Sequence, residues 1–529
     1  MDSTSRDLAS LSRQTTVNKI GGANMMQLDV IGNLTDVLEN RNENIVYVVS
    51  AFEGVTNRLI AALDALNGKN YSEADIDTAF APVYQKHEEV IGKFFPGEFA
   101  EKVREKYEAS FGVIRQSLIT HKTVSNILKP VDGSFQIRDQ VIGFGEDMGA
   151  AFLQMYLEQQ GKQVVHVENV QADQDLLSHG EITNTRINAA KKAGIIHSLQ
   201  EVRSDVIRIF GGHMKGTPRG LIPHQGRGYS DIMGVNVTQA LRDLGEDVQD
   251  PRFWKDVDGV YTANPKDLGL NNNPRLHEDI SISDALENAS AGSGLINVRA
   301  LSYARQNGMG LRIRNLKRLD PDVGTSITTG RVDTRFLFKS IVTNPYVDAL
   351  TFDIPEMADE PGFGDALVSA FAKKRVTLDL ICCEGTSITF SVPLPQDEAD
   401  RQALRLRIRE IIDSCKTVEV YGERFDVQGI EWDKERFASL SFIGTELKDR
   451  SSVLGSITST LGAFGINICG ISHGKKQTRI SLLIDGGNRK KAVQVCHSYY
   501  VDNDPKVKSE RARLSAQAEE GLTSTFNGS

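Results

Sequence analysis

Residues 45–57 read IVYVVSAFEGVTN. The first six, Ile45 to Ser50, are short, apolar and rich in β-branched side chains, with no alternation of polar residues. A strand of a parallel sheet reads this way because helices cover both faces and no side chain has to meet water. A turn follows at 51–54, and a helical spacing of apolar residues begins near Thr56. The form returns at Gln163–Val167 (QVVHV) and Asp205–Phe210 (DVIRIF), while residues 58–130 are mostly amphipathic helical sequence. Strands alternating with helices imply an α/β domain around a mainly parallel central sheet.

Near residue 335 the pattern changes character. Tyr346–Phe352 reads as a strand, Phe363–Lys374 as a helix, Thr377–Cys383 with Ser387–Val392 as a hairpin, and Glu398–Cys415 as a helix. The order recurs in Ala438–Ile443, Ser451–Phe464, Asn467–His473, Arg479–Ile484 and Lys490–Tyr500. A β-α-β-β-α order met twice implies two ferredoxin-like α+β modules. The polar ends, 1–16 and 503–529, are expected to be disordered tails. The expected division is thus 17–333 for the α/β domain, 334–422 and 423–502 for the modules, with a tail at either end.

At 529 residues the chain is too long for one hydrophobic core. Its net charge of −9 supplies no basic footprint for nucleic acid or an anionic membrane surface, so anion binding must come from local constellations. The five cysteines (Cys382, Cys383, Cys415, Cys469 and Cys496) are odd in number and form no C-x-x-C pair, which reads as reduced thiols. A polar N-terminus without an apolar h-region, and no run of about 18 apolar residues, lead to the expectation of a cytoplasmic protein without a membrane span.

Four glycine-bearing segments carry candidate chemistry. In Lys19-Ile20-Gly21-Gly22-Ala23-Asn24 the ammonium and the paired glycines suit a phosphate, although a plain Gly-Gly turn explains the glycines equally. In 48–57, Ser50 and Thr56 stand at a helix start, where they could hold an anion or simply cap. In Gly226-Arg227-Gly228-Tyr229-Ser230-Asp231 a guanidinium fork precedes a helix over Ile232–Leu244, and Asp231 could be only its N-terminal acid. The fourth, Trp254 to Lys266 (WKDVDGVYTANPK), would suit a nucleotide, or be a surface turn around Asp258-Gly259. No segment matches the P-loop or protein-kinase signatures, and the ten histidines show no metal-ligand spacing.

In this order the segments resemble the aspartokinase branch of the amino-acid kinase family, and the back half resembles that family's paired ACT domains. Gly444-Thr445-Glu446-Leu447 and Phe464-Gly465-Ile466-Asn467-Ile468 are close to an ACT loop and helix end. The resemblance spans about residues 17–500. K-I-G-G and G-R-G-Y are similar to aspartokinases linked to ectoine synthesis genes. It implies a three-layer amino-acid-kinase domain, and ATP with Mg²⁺ carried on the nucleotide rather than by protein ligands. It also implies transfer of a phosphoryl group to the side-chain carboxylate of L-aspartate.

The resemblance also implies roles for single residues. Lys19, Arg227 and Asp231 are the catalytic group, and Ser50, Thr56, Glu146, Arg227 and Ser230 bind substrate. Lys19, Gly21, Gly22, Asp256, Tyr261 and Lys266 bind the nucleotide. The family's H-G-E segment is taken to be Phe144-Gly145-Glu146, opening a helix over Asp147–Leu157, rather than the literal His179-Gly180-Glu181. Met357, Asp359, Asp379, Glu384, Asp449, Asn467 and Ile468 are candidate contacts for a lysine or threonine effector, and the ACT pair implies a homodimer or higher homo-oligomer. Departures cluster on the nucleotide side. Ile20, Ala23 and Asn24 interrupt the usual K-F-G-G-T-S, Tyr229 replaces a Gly, Lys255 a Thr, and Gly294 a Lys. Lys255 or Lys266 could supply the missing charge. A weakened homologue acting as an amino-acid sensor is therefore the alternative reading, and another amino-acid kinase such as acetylglutamate kinase a third.

Overall fold

The computed structural model describes residues 13–120, 134–168, 170–178, 181–217, 221, 225–226, 228–269, 273–330, 332, 338–444, 447, 452–474, 478–503, 505, 508–509, 512–513 and 516–517. The described chain divides into two units. One runs to Val260 and adds Glu278–Ile282 and Leu295–Arg331, and the other takes Tyr261–His277, Ser283–Gly294 and the chain from Val332 onward.

The first unit is built on eight strands: β1 (Thr15–Ile20), β2 (Asn44–Val49), β3 (Val164–His166), β4 (Ile207–Gly211), β5 (Arg252–Lys255), β6 (Asp279–Ser281), β7 (Leu311–Asn315) and β8 (Gly324–Thr328). Their order in the sheet is β3-β4-β2-β1-β5-β7-β8-β6, and every pairing is parallel except β7 with β8. The three strands read from sequence as apolar runs are β2, β3 and β4, whereas β1, leading into the Lys19–Asn24 segment, is marked by no such run. It begins at Thr15, inside the stretch expected as a tail. Its residues Thr15 and Thr16 are buried, because β1 is flanked by β2 and β5 and every side chain in it is enclosed. Hydrogen bonds take up its polar members: Asn18 Oδ1 accepts from Trp254 Nε1 (2.9 Å) and Thr15 Oγ1 donates to Glu246 (2.7 Å). A strand with four polar residues among six therefore sits in the middle of the sheet, and composition alone does not reveal it.

The helices Val55–Leu66, Glu73–Phe94 and Glu98–Thr120 fill the region expected to be helical, and residues 121–130 lie outside the described set. They share a core with helix Ser134–Gln159, in which Phe52, Phe144, Phe152 and Tyr107 surround the buried His87. Burial pushes the His87 imidazole down to about 4, so this histidine is a neutral core residue.

The second unit carries β9 (Ser340–Asp353), β10 (Ile381–Cys383), β11 (Ser387–Pro393), β12 (Thr417–Val420), β13 (Glu423–Asp426), β14 (Gly429–Ile443), β15 (Ile468–His473) and β16 (Arg479–Asp485). Both β-α-β-β-α runs expected from sequence are present, but they share one sheet of order β10-β11-β9-β14-β16-β15. The C-terminal half of β9 pairs with β11, and its N-terminal half, Ser340–Asn344, pairs with the end of β14, which in turn pairs with β16. The strand that flanks the second module thus precedes the first in sequence, and the cut at 422/423 corresponds to no structural boundary. Buried Asp348 fixes the crossover: it accepts from Arg405, from Trp432 Nε1 and from the Glu435 backbone N–H where β14 bulges.

Residues 261–277 and 283–294, expected in the α/β domain, group with this unit instead. Thr262 Oγ1 lies 2.9 Å from His497 Nε2, Asp267 pairs with Arg489 at 2.7 Å, and Ala263 and Leu268 belong to the core around Leu440 and Ile457. Polar and Gly/Asn-rich sequence hid this packing.

Candidate active site

The carboxyl ends of parallel strands are where open α/β sheets bind ligands, because helix starts and free loop backbone gather there. Lys19 is the penultimate residue of β1, Ser50 follows β2, Gly212 and His213 follow β4, and Lys255 ends β5. Lys19 is buried, and its Nζ lies 2.6 Å from Asp231 Oδ1. Asp231 sits in the first turn of helix Tyr229–Asp243, but it does not cap it. Gly228, at φ +85°, occupies the cap position, and Asp231 points inward to accept from the Asn297 backbone N–H at 3.1 Å. Lys255 Nζ approaches the same carboxylate at 3.8 Å. Burial pushes the Asp231 carboxyl up, yet the Lys19 and Lys255 cations and these hydrogen bonds outweigh it and hold it below the usual range. Burial, reinforced by Lys19, pushes the Lys255 ammonium down to about 8 against the pull of Asp231 and Asp256. Two lysines around one carboxylate leave surplus positive charge, which suits the oxygens of a transferring phosphoryl group.

Beside this cluster Ser50 Oγ lies 3.0 Å from Ser230 Oγ. The backbone around Ser50 is packed to the limit. A Cβ at Gly22 would stand 2.8 Å from Ala51 O, one at Gly149 2.7 Å from Ser50 O, and one at Gly212 2.4 Å from Ser230 Cβ. Gly22 is therefore accounted for by close approach of β2's exit. Gly21 caps the four-residue helix Gly22–Met25 in an extended conformation. Asn24, a departure from the K-F-G-G-T-S pattern, donates to Trp254 O at 3.0 Å and so joins this loop to β5.

Glu146 does not open a helix, contrary to expectation. It lies inside the 26-residue helix Ser134–Gln159. The neighbouring glycines are packing glycines. Gly145 meets Ala51, Val55 and Leu59, Gly149 meets Ser50, and Gly143 lies against the ring of His213. Glu146 is buried, its Oε2 has no hydrogen-bond partner among the described residues, and the Tyr229 hydroxyl bonds to the carboxyl. Burial pushes its carboxyl up to about 7 even though His213 and Lys19 pull it down. Around it stand Asp139, which accepts from His213 Nε2 (3.0 Å) and the Leu221 N–H (2.9 Å), and buried Lys191, which donates to Gln225 at 2.6 Å. Burial brings Lys191 down to about 7.

The structure therefore brings Lys19, Ser50, Glu146, Ser230 and Asp231 together in the first unit. Thr56 is half-buried in the first turn of its helix, capped by Gly54 rather than by its own hydroxyl, and Asp256 is exposed after β5. Glu181, the rejected alternative, is exposed, and His179 and Gly180 lie outside the described residues, as do Arg227 and Asp449. Tyr261, Lys266 and Gly294 belong to the second unit. There Asp379 is committed to Arg479 at 2.9 Å, Met357 is half-buried, Asp359 and Glu384 are exposed, and Asn467 and Ile468 stand where the chain enters β15. Sequence reasoning missed Asn297, Asp139, Lys191 and His213 as neighbours of the site. Lys255 had left a signal as a charged departure from the motif, whereas Asp139 and His213 are 74 residues apart and carry none.

Comparison with known proteins agrees with this geometry. The model of the amino acid kinase family matches residues 14–315, more than half of the chain, and an ACT domain model matches residues 440–500. The chain is 23% identical to aspartokinase 2 (chloroplastic) of Arabidopsis thaliana, over 93% of this chain and 85% of that protein. It is 22% identical to lysine-sensitive aspartokinase 3 of Escherichia coli, over 92% of this chain and 99% of that one. The crystal structure of E. coli aspartokinase III in complex with lysine and aspartate superposes with a TM-score of 0.66 at 18% identity, covering 93% of this chain and all of the other. The family match, the parallel sheet and the cluster at the carboxyl ends of its strands lead to one conclusion: the chain belongs to the amino acid kinase family.

Proposed function

We propose that this protein is an aspartate kinase, transferring the γ-phosphoryl group of ATP to the side-chain carboxylate of L-aspartate to give 4-phospho-L-aspartate and ADP. The observation that carries the reading is the Lys19–Asp231–Lys255 cluster, with Lys19 and Asp231 buried, standing with Ser50, Ser230 and a Glu146 whose Oε2 has no partner among the described residues. A carboxylate is already a nucleophile at neutral pH. Its oxygen forms the new bond to phosphorus while the bond to the ADP oxygen breaks, and no general base is required. What remains for the protein is positioning and neutralisation of charge. Lys19 and Lys255 would face the phosphoryl oxygens, Asp231 would hold Lys19 in place, and Glu146 would receive the substrate's ammonium.

Relatives that carry the name aspartokinase align over nearly the whole chain, and a related structure is of aspartokinase III with aspartate and ADP. Both support aspartate and ATP as the substrates. Asp231 already serves Lys19, Lys255 and Asn297, so Mg²⁺ fits this site as an ion held by nucleotide oxygens, supplying further neutralisation of charge. The sensor alternative rested on missing charge at the nucleotide side, and Lys255 supplies it. The matched ACT domain supports allosteric control by an amino acid such as lysine or threonine and assembly as a homo-oligomer. No helix among the described residues is long and apolar enough to cross a membrane, and a cytoplasmic location fits soluble substrates. A coupled ADP-release assay with aspartate, glutamate and acetylglutamate tests the reading: turnover with aspartate alone is the expected result, and turnover with acetylglutamate in its place overturns it.

A further inference from the structure

Behind Glu146 lies a set of buried polar groups that the reaction as described does not use. His213 sits after β4 with its side chain enclosed, and three contacts hold its ring. Its Nε2 donates to Asp139 Oδ1 at 3.0 Å, an oxygen that also accepts from Leu221 N–H. Its ring packs on helix Ser134–Gln159 at Gly143, where a Cβ would come within 2.8 Å of Nδ1. It also meets the ring of Tyr229 in a T-shaped pair, ring centroids 5.3 Å apart and planes at 90°. Gly143 and Glu146 are three residues apart and share one helix face, so the ring lies beside the Glu146 side chain. Tyr229 links the two a second time through its hydrogen bond to Glu146. His213 Nδ1, Asp139 Oδ2 and Glu146 Oε2 are all buried without hydrogen-bond partners among the described residues. Three orphaned polar atoms in one buried cluster are costly unless a ligand or a proton rearrangement serves them.

We propose that His213 is a positioning residue for Glu146, a cationic imidazole clamped by Asp139 and Tyr229 that keeps the neighbouring carboxylate ionised and aimed at the ammonium of the substrate. This rests on the assignment of Glu146 to that ammonium. The charges around the pair are consistent with it. Glu146 faces His213, Lys19, Lys191, Asp147 and the Tyr229 hydroxyl, and His213 faces Asp139, Glu146 and Asp147. Burial alone would make His213 neutral, but Asp139 and the two further acids outweigh it and raise its proton affinity. Glu146, pushed to about 7, is balanced between its two forms near neutrality. Removing the imidazolium therefore moves Glu146 toward the protonated form, which cannot hold an ammonium.

The test is the pH dependence of KM for aspartate and of kcat in His213→Gln and Asp139→Asn, with Glu146→Gln as reference. In His213→Gln the acid limb of kcat/KM for aspartate should move up by about one pH unit, raising KM near pH 7 by up to about tenfold and affecting kcat less. Asp139→Asn keeps the acceptor oxygen but removes the charge, so its limb should move the same way by a smaller amount. It decides the matter if His213→Gln does not fold. Acid limbs superimposable on wild type in these variants overturn the proposal. If Glu146→Gln itself leaves KM for aspartate unchanged, the assignment of Glu146 falls instead.

Discussion

Lys19 and Glu146 are both buried at the carboxyl end of the same sheet, yet their surroundings differ. Lys19 is ion-paired at 2.6 Å to an aspartate that also receives Asn297 and Lys255. Among the described residues Glu146 has an unpaired oxygen, and its neighbour His213 an unpaired nitrogen. The cations described at one end are thus ion-paired before anything binds, and the groups described at the other are left short of partners. In the proposed reaction the difference follows from what each end would bind. Phosphoryl oxygens bring negative charge, and a cation already oriented by its own carboxylate costs no reorganisation when they arrive. An ammonium brings positive charge to a carboxylate whose burial has been only partly offset.

The comparison is broken most strongly at its finished end. Lys19→Ala removes the cation paired most closely with Asp231, and loss of such an electrostatic contact costs roughly 10²–10³ in kcat. Turnover within a few-fold of wild type in the ADP-release assay would sink the assignment of Lys19. At the open end, Glu146→Gln loses a charge-assisted hydrogen bond worth about 1.5–3 kcal/mol. KM for aspartate should accordingly rise by about 10- to 100-fold, while KM for ATP stays close to wild type. A rise in both constants would show that the two ends are not separable.

Between the two ends runs the Ser50 backbone, and Gly149→Ala probes how tightly it is held. Helix propensity alone favours alanine by about 1 kcal/mol. A Cβ 2.7 Å from a backbone carbonyl has nothing flexible to displace, however, and overpacking of this kind typically costs about 1–3 kcal/mol. The clash should win, lowering the denaturant midpoint and activity together. A stabilised variant would show that β2's exit can yield.

How far these features could be read from the sequence follows from the same contrast. Strands β2, β3 and β4 announce themselves through β-branched apolar runs, and Lys19, Ser50, Ser230 and Asp231 lie in short motifs whose spacing survives in one segment. Strand β1 shows no such run because Thr15, Thr16 and Asn18 are polar in composition, and the side chains that take up Thr15 and Asn18 lie more than 200 residues away. Glu146 was found, but its helix was cut short, since the resemblance implied a helix opening after it and the groups packed on Gly143 and Gly145 are not legible in sequence. His213, Asp139 and Lys191 were not found. Each is an unremarkable residue by itself and gains meaning only from tertiary contacts. That 261–277, inside the amino acid kinase match, group by contacts with the second unit was illegible for the same reason, because Thr262–His497 and Asp267–Arg489 join residues more than 200 positions apart.

The subtlest difference between the two ends concerns Lys255, the departure that became part of the site. Its ammonium, brought down to about 8 from the ordinary 10.5, is charged at neutral pH and discharges as pH rises through 8. Activity should therefore fall on the alkaline side of about pH 8, because a neutral amine no longer offsets phosphoryl charge. Stability should move the opposite way. Between about pH 8 and 10.5 the unfolded chain still carries the Lys255 proton that the folded chain has released. The unfolded state then binds more protons, and folding gains stability as pH rises. A guanidinium stays protonated throughout this range, so Lys255→Arg should abolish both trends, moving the alkaline limb of kcat/KM outward and flattening this contribution to the melting profile. An alkaline limb that stays in place in Lys255→Arg would assign it to another group and leave Lys19, among the described residues, as the cation working at the finished end.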